Sequence, residues 1–383
     1  MEYKRLGDIA TYINGYAFKP EQWSNKGKPI IRIQNLNNKD AEYNYFDGEI
    51  DEKYLIKKGD VLISWSASIG IYEWDLEDAY LNQHIFKVVF EKEEIDKKYF
   101  KFMVDIALNK AVKYMHGSTM KHITKKYFDN ILVPVPSLDK QKKIAEVLDK
   151  AQFLIDKKKE QIELLDELVK SRFVEMFGDI NKNNKIWDVK ILSELIDVIG
   201  GYAFKSTEFV EEGIPVLKIG NINAGYFKNT NLMFWNEEEK LERYLIRPGD
   251  LVISLTGTVG KDDYGNVCIM GKDYDKYYLN QRNAKLDIRD ENILSKLYLT
   301  YALKVPEIKK RLTGISRGVR QANISNKDIQ NLELPIPPIE LQNEFAEFVE
   351  QTDSIRSKME ASLSELEDNF NSLMQKAFKG ELF

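Results

Sequence analysis

Short apolar runs bounded by turn residues fill the two larger parts of this chain. Residues 30–33, 61–64 and 86–90 have the composition of β-strands. Helical spacing of the apolar residues predicts helices at 99–115 and 293–312. Strands together with helices in each part predict an α+β fold, and the pattern leaves the order of the strands open.

Two other stretches have a different pattern, because neither 138–177 nor 339–379 contains a glycine or a proline. As uninterrupted helices, each would be about 60 Å long. Gly178 and Gly380 follow where helix C-terminal caps are expected. The sequence therefore predicts two long helices, one after each globular region.

Apolar side chains recur every seven residues in both long helices, which predicts a seam that binds a partner helix. The seam positions are Leu148, Ile155, Ile162 and Val169 in the first helix and Phe345, Met359, Leu366 and Leu373 in the second. Since each helix follows its own globular region, we expect the two to pair as an antiparallel intramolecular coiled coil. Two helices buried in separate domain cores are the less favoured alternative, because the outward faces are charged over their full length.

The globular regions repeat each other. Gly15-Tyr16-Ala17-Phe18-Lys19 returns as Gly201-Tyr202-Ala203-Phe204-Lys205, and Tyr80-Leu81-Asn82-Gln83 returns as Tyr278-Leu279-Asn280-Gln281. A repeat this long is a duplicated domain and not a solenoid unit of about 20 to 50 residues. We predict two tandem similar domains, at 1–136 and 179–336, related by a pseudo-two-fold and separated by long helices at 137–178 and 337–383.

The net charge of −5 is confined to the end of the chain. Residues 337–383 hold 4 basic and 10 acidic side chains, whereas the other three segments hold 20 and 20, 9 and 9, and 23 and 22. The acidic total therefore does not argue against binding to nucleic acid.

Cysteine usage and hydropathy bound the location of the chain. Cys268 is the only cysteine, which excludes an internal disulfide framework and suits a reducing compartment. The sequence has no signal-peptide pattern and no apolar run near the ~20 residues that span a bilayer, so we expect a cytoplasmic protein.

Motifs for catalysis are missing from the sequence. It contains no phosphate-binding glycine loop, no dinucleotide fingerprint, no zinc-protease motif and no base-methylation motif. A duplicated metal or acid–base site would have its histidines in both repeats. The histidines of this chain, His84, His116 and His122, all lie in the first repeat. We therefore expect no catalytic residue, metal or cofactor in this chain.

Basic loops that contain glycine and serine lie late in both repeats, at 116–124 and 314–325. The candidate DNA-binding residues are Ser118 and Lys121 in the first loop, Lys125 directly after it, and Arg317, Arg320 and Gln321 in the second loop. Arginine has a planar fork that suits phosphate or the edge of guanine. A solvated charge run is the alternative for one such loop, but two loops in corresponding places favour nucleic acid.

Further candidates flank the repeated blocks. Positions that differ between the repeats are candidates for base contact, and the lysines of the shared motif are candidates for phosphate contact. The candidates for base contact are Ser66, Ser68, Thr256 and Thr258. The candidates for phosphate contact are Lys19 and Lys205. The Asn-Gln pairs at 82–83 and 280–281 are identical, so a structural role is favoured over base reading, although their amides could bond to adenine.

Together these features resemble the specificity subunit of a type I restriction-modification system. The resemblance covers essentially the whole chain and rests on the two Gly-Tyr-Ala-Phe-Lys turns, the order of domains and helices, and the two helix starts ending in Gln141 and Gln342. The first helix start has Pro-Ser where Pro-Pro is more usual.

The resemblance implies a non-catalytic DNA reader in host defence. Each globular region would be a target-recognition domain for one half of a bipartite asymmetric DNA target. The helices would space these domains and dock two methyltransferase subunits, which bind S-adenosylmethionine. Restriction subunits would bring ATP and Mg.

Two other function classes are weighed against this one. A coiled-coil interaction scaffold could carry two repeated domains that bind protein or another ligand. A self-sufficient methyltransferase is disfavoured, because the sequence lacks its cofactor and catalytic motifs.

Overall fold

The computed structural model describes residues 2–114, 123–223, 225–261, 263–314 and 321–382. The chain divides into two compact units. Unit 1 comprises Met1–Lys159 with Ala361–Phe383, and unit 2 comprises Glu160–Glu360. Each unit therefore contains one globular region and a part of both long helices, whereas the predicted domain bounds, which set the helices apart, stay a prediction.

Besides its parts of the two long helices, the described residues of unit 1 form ten strands, one helix of 18 residues and several shorter helices. The strands β1 to β10 are Tyr3–Arg5, Thr11–Asn14, Lys28–Ile31, Asn44–Phe46, Leu55–Ile56, Val61–Ser64, Gly70–Glu73, Ala79–Leu81, Ile85–Val89 and Leu132–Pro134. The helices α1 to α4 are Leu6–Ile9, Ile33–Asn37, Lys97–Tyr114 and Lys125–Asp129, with 3-10 turns at Pro20–Gln22 and Glu52–Tyr54. One sheet has the order β2-β9-β6-β7 and a second has the order β4-β3-β8-β5, with β1 pairing β10.

The long helix α5 spans Leu138–Phe177 and is followed by unit 2's own strands. The strands β11 to β22 are Asp188–Ile191, Ile196–Gly200, Ile214–Leu217, Met233–Trp235, Leu245–Ile246, Leu251–Ser254, Thr256–Thr258, Val267–Ile269, Tyr277–Leu279, Asn283–Ile288, Gln321–Asn323 and Glu333–Ile336. The helices α6 to α10 are Leu192–Leu195, Lys296–Lys304, Pro306–Thr313, Asn326–Gln330 and Ile339–Lys379, with 3-10 turns at Ser206–Glu208, Ile219–Asn221 and Glu239–Tyr244.

The sheets of unit 2 repeat those of unit 1. Their orders are β12-β20-β16-β18 and β14-β13-β19-β15, with β11 pairing β22. In both units the second sheet contains one parallel pair, β3 with β8 and β13 with β19. Among the described residues, unit 2 also contains the strand pair β17 and β21. The predicted α+β fold with two similar domains and a long helix pair is confirmed.

The ends of the long helices complete the cores of the two units. Leu148 from α5 and Ala377 from α10 lie in the main core of unit 1, and Val169 and Phe345 lie in the main core of unit 2. Burial of the long helices in the domain cores was the less favoured alternative. It is correct for the end parts of both helices.

The predicted seam faces inward along both helices, since all of its residues are buried or half-buried. In unit 2 the helices run antiparallel. Asp166 of α5 pairs with Arg356 of α10 at 2.6 Å. Arg172 lies further along α5 and pairs at 2.8 Å with Glu344, which lies earlier in α10. The coiled-coil geometry itself stays a prediction.

A buried glutamine ties each long helix to its globular region. Gln141 is 1 % exposed; its Oε1 accepts from the Asp96 amide at 2.9 Å and its Nε2 donates to the Pro136 carbonyl at 2.8 Å. Gln342 is fully buried and makes the same contacts, to Ser295 at 2.8 Å and to Pro337 at 2.7 Å. The two helix starts therefore share one hydrogen-bonded arrangement.

Candidate nucleic-acid interface

The repeated glycine sits where the chain crosses another backbone segment. A Cβ atom at Gly15 would lie 2.0 Å from the Asn82 carbonyl oxygen, and one at Gly201 would lie 2.2 Å from that of Asn280. Only glycine permits this approach. In unit 1 the next residue, Tyr16, donates its amide to the Leu81 carbonyl at 2.8 Å. The motif therefore holds the backbone of the Asn-Gln segment.

The residue after each Asn-Gln pair is hydrogen-bonded to a loop that we call the recognition loop. This loop follows β6 in unit 1, at 65–69, and follows β16 in unit 2, at 255–266. In unit 1 the Trp65 amide donates to the His84 carbonyl at 3.2 Å, and the Ile123 amide donates to the Trp65 carbonyl at 2.9 Å.

Unit 2 makes the corresponding bonds, from the Leu255 amide to the Arg282 carbonyl and from the Ile324 amide to the Leu255 carbonyl, both at 2.8 Å. These bonds and the motif contacts form what we call the shared frame. The end of the late basic loop is therefore joined to the recognition loop in each unit.

The predicted residues of unit 1 have different surroundings. Lys19 and Ser68 are exposed, and Ser66 is half-buried. The Lys125 ammonium lies 2.8 Å from Asp129, so this lysine already has a carboxylate partner that a phosphate would have to replace. Ser118 and Lys121 lie outside the described residues.

In unit 2, Thr256 and Thr258 form β17, in which Thr258 is paired with Gln321 of β21. Lys205 is exposed and pairs with Glu208 at 3.2 Å. Arg317 and Arg320 lie outside the described residues. The structure thus brings Thr258 and Gln321 together, and Lys205 makes no described contact with them.

The recognition loop of unit 2 is held by an aspartate that sequence reasoning missed. The Asp263 carboxylate accepts from the Thr258 amide at 2.8 Å and from its hydroxyl at 2.9 Å. The bond from this amide is the main cause that lowers the pKa of Asp263 below its usual value. A Cβ at Gly257 would lie 2.3 Å from Asp263, so glycine is required beside the carboxylate.

A cavity of about 310 Å³ opens at this loop, and we call it the Arg282 cavity. It is lined by Ile219, Asn223, Thr256, Gly257, Thr258, Asp263 and Arg282. Arg282 differs from its counterpart His84 directly after a shared Asn-Gln pair, so the rule that differing positions carry specificity could have found it. Asn223 is the same residue as its counterpart Asn37, and sequence gives no signal there.

A larger cavity of about 1270 Å³ in unit 2 lies beside both long helices. Burial lowers the pKa of Lys304 and raises the pKa of Asp353 on its wall. Arg356 in the same wall is engaged by Asp166. The side chains that line this cavity carry charges of both signs, so they do not form the uniformly basic track that a phosphate backbone favours.

Two searches of the described residues bear on other classes of site. No three His, Cys, Asp or Glu side chains there are grouped as ligands for a metal ion. No helix in that part of the chain has the length and apolar character needed to cross a membrane.

Comparison with known proteins identifies the family. The family described as "Type I restriction modification DNA specificity domain" matches residues 1–164 and 184–368, which is most of the chain. The chain belongs to this family. The two matched segments are two copies of the specificity domain, in agreement with the repeat in sequence and fold.

Curated relatives of this specificity-domain chain are similar over nearly its whole length. The specificity subunit of the type I restriction enzyme EcoBI from Escherichia coli is 25% identical, over 98% of this chain and 85% of that protein. The MjaVIII specificity subunit from Methanocaldococcus jannaschii is 26% identical, over 92% and 86%.

Solved structures share the fold of these specificity domains. The S subunit of a type I restriction-modification system from M. genitalium has a TM-score of 0.53 at 16% identity and covers 98% of this chain and 96% of its own. A chain in a structure of the type I R-M system has a TM-score of 0.55 at 19% identity and covers 100% and 98%.

Proposed function

We propose that this chain is the non-catalytic DNA-recognition subunit of a type I restriction-modification complex, in which each unit reads one half of a bipartite, asymmetric target. One observation carries the proposal: the two units have the same frame of backbone bonds around recognition loops that differ in length and side chains. A shared frame suits two domains of one binding mode, and differing loops suit two different base sequences.

The long helices hold the two readers apart in this proposal. A rod of about 60 Å exceeds one DNA turn of about 34 Å. The gap between the two half-sites therefore follows from helix length.

Docking of two methyltransferase subunits is proposed on the outer faces of the helices. The seam residues are buried or half-buried within the chain, so they are occupied. Large apolar residues are nevertheless 49–59 % exposed on α5: Phe153, Leu154, Leu164 and Leu168. Exposed apolar side chains on a charged helix support a partner surface. The partners would bring S-adenosylmethionine, and restriction subunits would bring ATP and Mg.

Modified-base sequencing tests the proposal. The chain is co-expressed with a methyltransferase subunit of a type I restriction-modification system, and genomic DNA of the host is sequenced for methylated adenine. We expect methylation in a motif of two short defined blocks separated by unspecified bases. A continuous short motif, or no modification, contradicts the proposal.

A further inference from the structure

The recognition loop of unit 2 is longer than its counterpart and supplies Thr256, Gly257, Thr258 and Asp263 to the wall of the Arg282 cavity. Twelve positions, 255–266, replace the five at 65–69. The extra length supplies the Asp263 carboxylate that holds Thr258, which stands at the position of Ser68. The cavity wall therefore combines residues of the shared block, such as Asn223, with residues of the segment that differs between the repeats.

Two buried polar atoms of the cavity wall have no hydrogen-bond partner among the described residues: the Asn223 side-chain oxygen and the Thr256 hydroxyl. Buried polar atoms in proteins are nearly always paired. An amide oxygen can accept, and a hydroxyl can donate or accept. These two atoms therefore mark where groups of a ligand would complete the hydrogen bonding.

Arg282 supplies a cationic donor at the same cavity. Its side chain is exposed and makes no hydrogen bond or ion pair within the described ranges. The carboxylate of the wall, Asp263, is already engaged through both oxygens by Thr258. The guanidinium fork is thus available to an acceptor-rich ligand edge.

In unit 1 the counterpart of Asn223 is engaged within the protein. The Asn37 side-chain oxygen accepts from the Tyr72 hydroxyl at 2.8 Å. The matching register places Cys268 where unit 1 has Tyr72, because Leu62 pairs with Tyr72 and Val252 pairs with Cys268. Cys268 is buried, so Asn223 lacks the donor that its counterpart has.

The residue at the position of Arg282 also differs in its surroundings. In unit 1 the ring of His84 packs edge-on against Trp65, with centroids 4.8 Å apart. In unit 2 leucine stands at the position of Trp65, and Leu255 is buried in the main core. Within the part of the chain that the structure describes, Arg282 therefore has no aromatic partner of this kind, and its side chain is exposed.

We propose that the Arg282 cavity is a base-reading site. Arg282 donates to the O6 and N7 atoms of a guanine in the major groove, and Thr256 and Asn223 contact the adjoining base. The inference rests on the proposed function and deepens it, since it assigns a specificity-determining residue to unit 2. A bidentate arginine–guanine pair confers about 5- to 150-fold preference over the wrong base.

The test compares the wild-type complex with Arg282→Ala, Arg282→Lys and the control Arg247→Ala. Arg247 is an exposed arginine of the same unit that does not line the cavity. Each chain is co-expressed with its methyltransferase subunit, and the methylated motif is sequenced. Binding of the purified complexes is measured on duplexes substituted at each defined base pair.

We expect Arg282→Ala to lose the preference for one guanine in one block, while the other block and the Arg247→Ala motif stay unchanged. Arg282→Lys should keep part of that preference. Thr256→Val, which keeps the shape and removes the hydroxyl, should relax the adjoining base pair.

Two outcomes overturn the inference alone. If Arg282→Ala weakens binding equally on all duplexes, the arginine contacts phosphate. If it leaves motif and binding unchanged, the cavity does not contact DNA. A wild-type complex without a bipartite motif instead overturns the proposed function and the inference with it. Melting temperatures of all variants are compared, and a variant that unfolds is replaced by Arg282→Gln.

Discussion

The two units build one frame and place different side chains on it. Gly15 and Gly201 cross a backbone carbonyl at the same place, and Gln141 and Gln342 make the same buried hydrogen bonds. Against this constancy, the loop after β6 is short and contains Trp65, whereas the loop after β16 is longer and contains its own strand.

In this duplicated domain, the residues that are identical and the residues that differ have separate roles. The repeated motif first suggests a binding site, because it is the most similar part of the two halves. Its contacts are to the protein's own backbone, so its identity preserves the frame. Among the described residues, two buried polar atoms of the Arg282 cavity have no partner: the Thr256 hydroxyl, which lies in the loop that differs, and the Asn223 side-chain oxygen, which belongs to a shared block.

The largest expected effect comes from breaking the frame itself. Gly201→Ala puts a methyl group 2.2 Å from a backbone oxygen that cannot move without displacing a strand. We expect the free energy of unfolding to fall by about 3 kcal/mol, at the upper end for overpacking. Gly220→Ala is the matched control, because nothing lies within 4 Å of its Cβ position. Urea denaturation measures both, and equal stabilities would contradict this role of the motif.

The buried glutamines should respond alike in the two units. Gln342→Ala leaves the Ser295 amide and the Pro337 carbonyl without their partner, which we expect to cost about 2 kcal/mol. Gln141→Ala should cost a similar amount. Asn343→Ala, at an exposed position beside Gln342, is the control and should change stability by less than about 0.5 kcal/mol. A loss in only one unit would show that the helix starts are not equivalent.

Basic residues of the late loops are expected to act on DNA binding and not on stability. Changing Arg317 and Arg320 to Ala, or Lys121 and Lys125 to Ala, should lower the slope of log affinity against log salt by about 1 for each phosphate contact removed. Fluorescence anisotropy of the complex at several salt concentrations measures the slope. An unchanged slope for both pairs would favour the interaction scaffold over the DNA reader.

The smallest effect is expected from the lysines of the shared motif. Lys205 is paired with Glu208, so its removal also frees a carboxylate, whereas Lys19 is exposed at the matching position. If both contact phosphate, Lys19→Ala and Lys205→Ala should each weaken binding several-fold and change no base preference, as expected for contacts that position DNA. A change of motif in either variant would show that the shared lysine reads sequence.

Helices and strands whose ends are marked by glycine or proline, or by a clear apolar run, could be predicted from the sequence. The long helices begin and end where glycine and proline bound them, at Leu138–Phe177 and Ile339–Lys379. Gly178 and Gly380 have positive φ, as helix-ending residues do. The strand Val61–Ser64 also has its predicted bounds.

Other predictions were wrong at their edges for local reasons. The strand predicted at 30–33 ends at Ile31, because the side chain of Asn35 accepts from the Arg32 amide at 3.0 Å and starts a short helix. The helix predicted at 293–312 is two helices, since Pro306 begins the second and Val305 lies between them in an extended conformation.

Only those residues of the candidate site that differ between the two repeats could be predicted from the sequence. The recognition loops were predicted from positions that differ, and their junction with the late loops required the backbone bonds of Trp65 and Leu255. Asn223 could not be predicted, because it equals Asn37, and the difference is in the hydroxyl donor that Tyr72 supplies to Asn37 and that the matching position of unit 2 does not have. That difference, Tyr72 against Cys268, becomes visible only through strand register.

The most direct measurement of the central claim is the methylated motif of a chimaera in which residues 179–336 replace residues 1–136. The shared frame should accept the second globular region in the first position, with the helices unchanged. Modified-base sequencing should then find the block read by unit 2 twice, in inverted orientation, separated by unspecified bases. A motif that still contains the block of unit 1, or a stable complex that methylates a continuous site, would contradict the account.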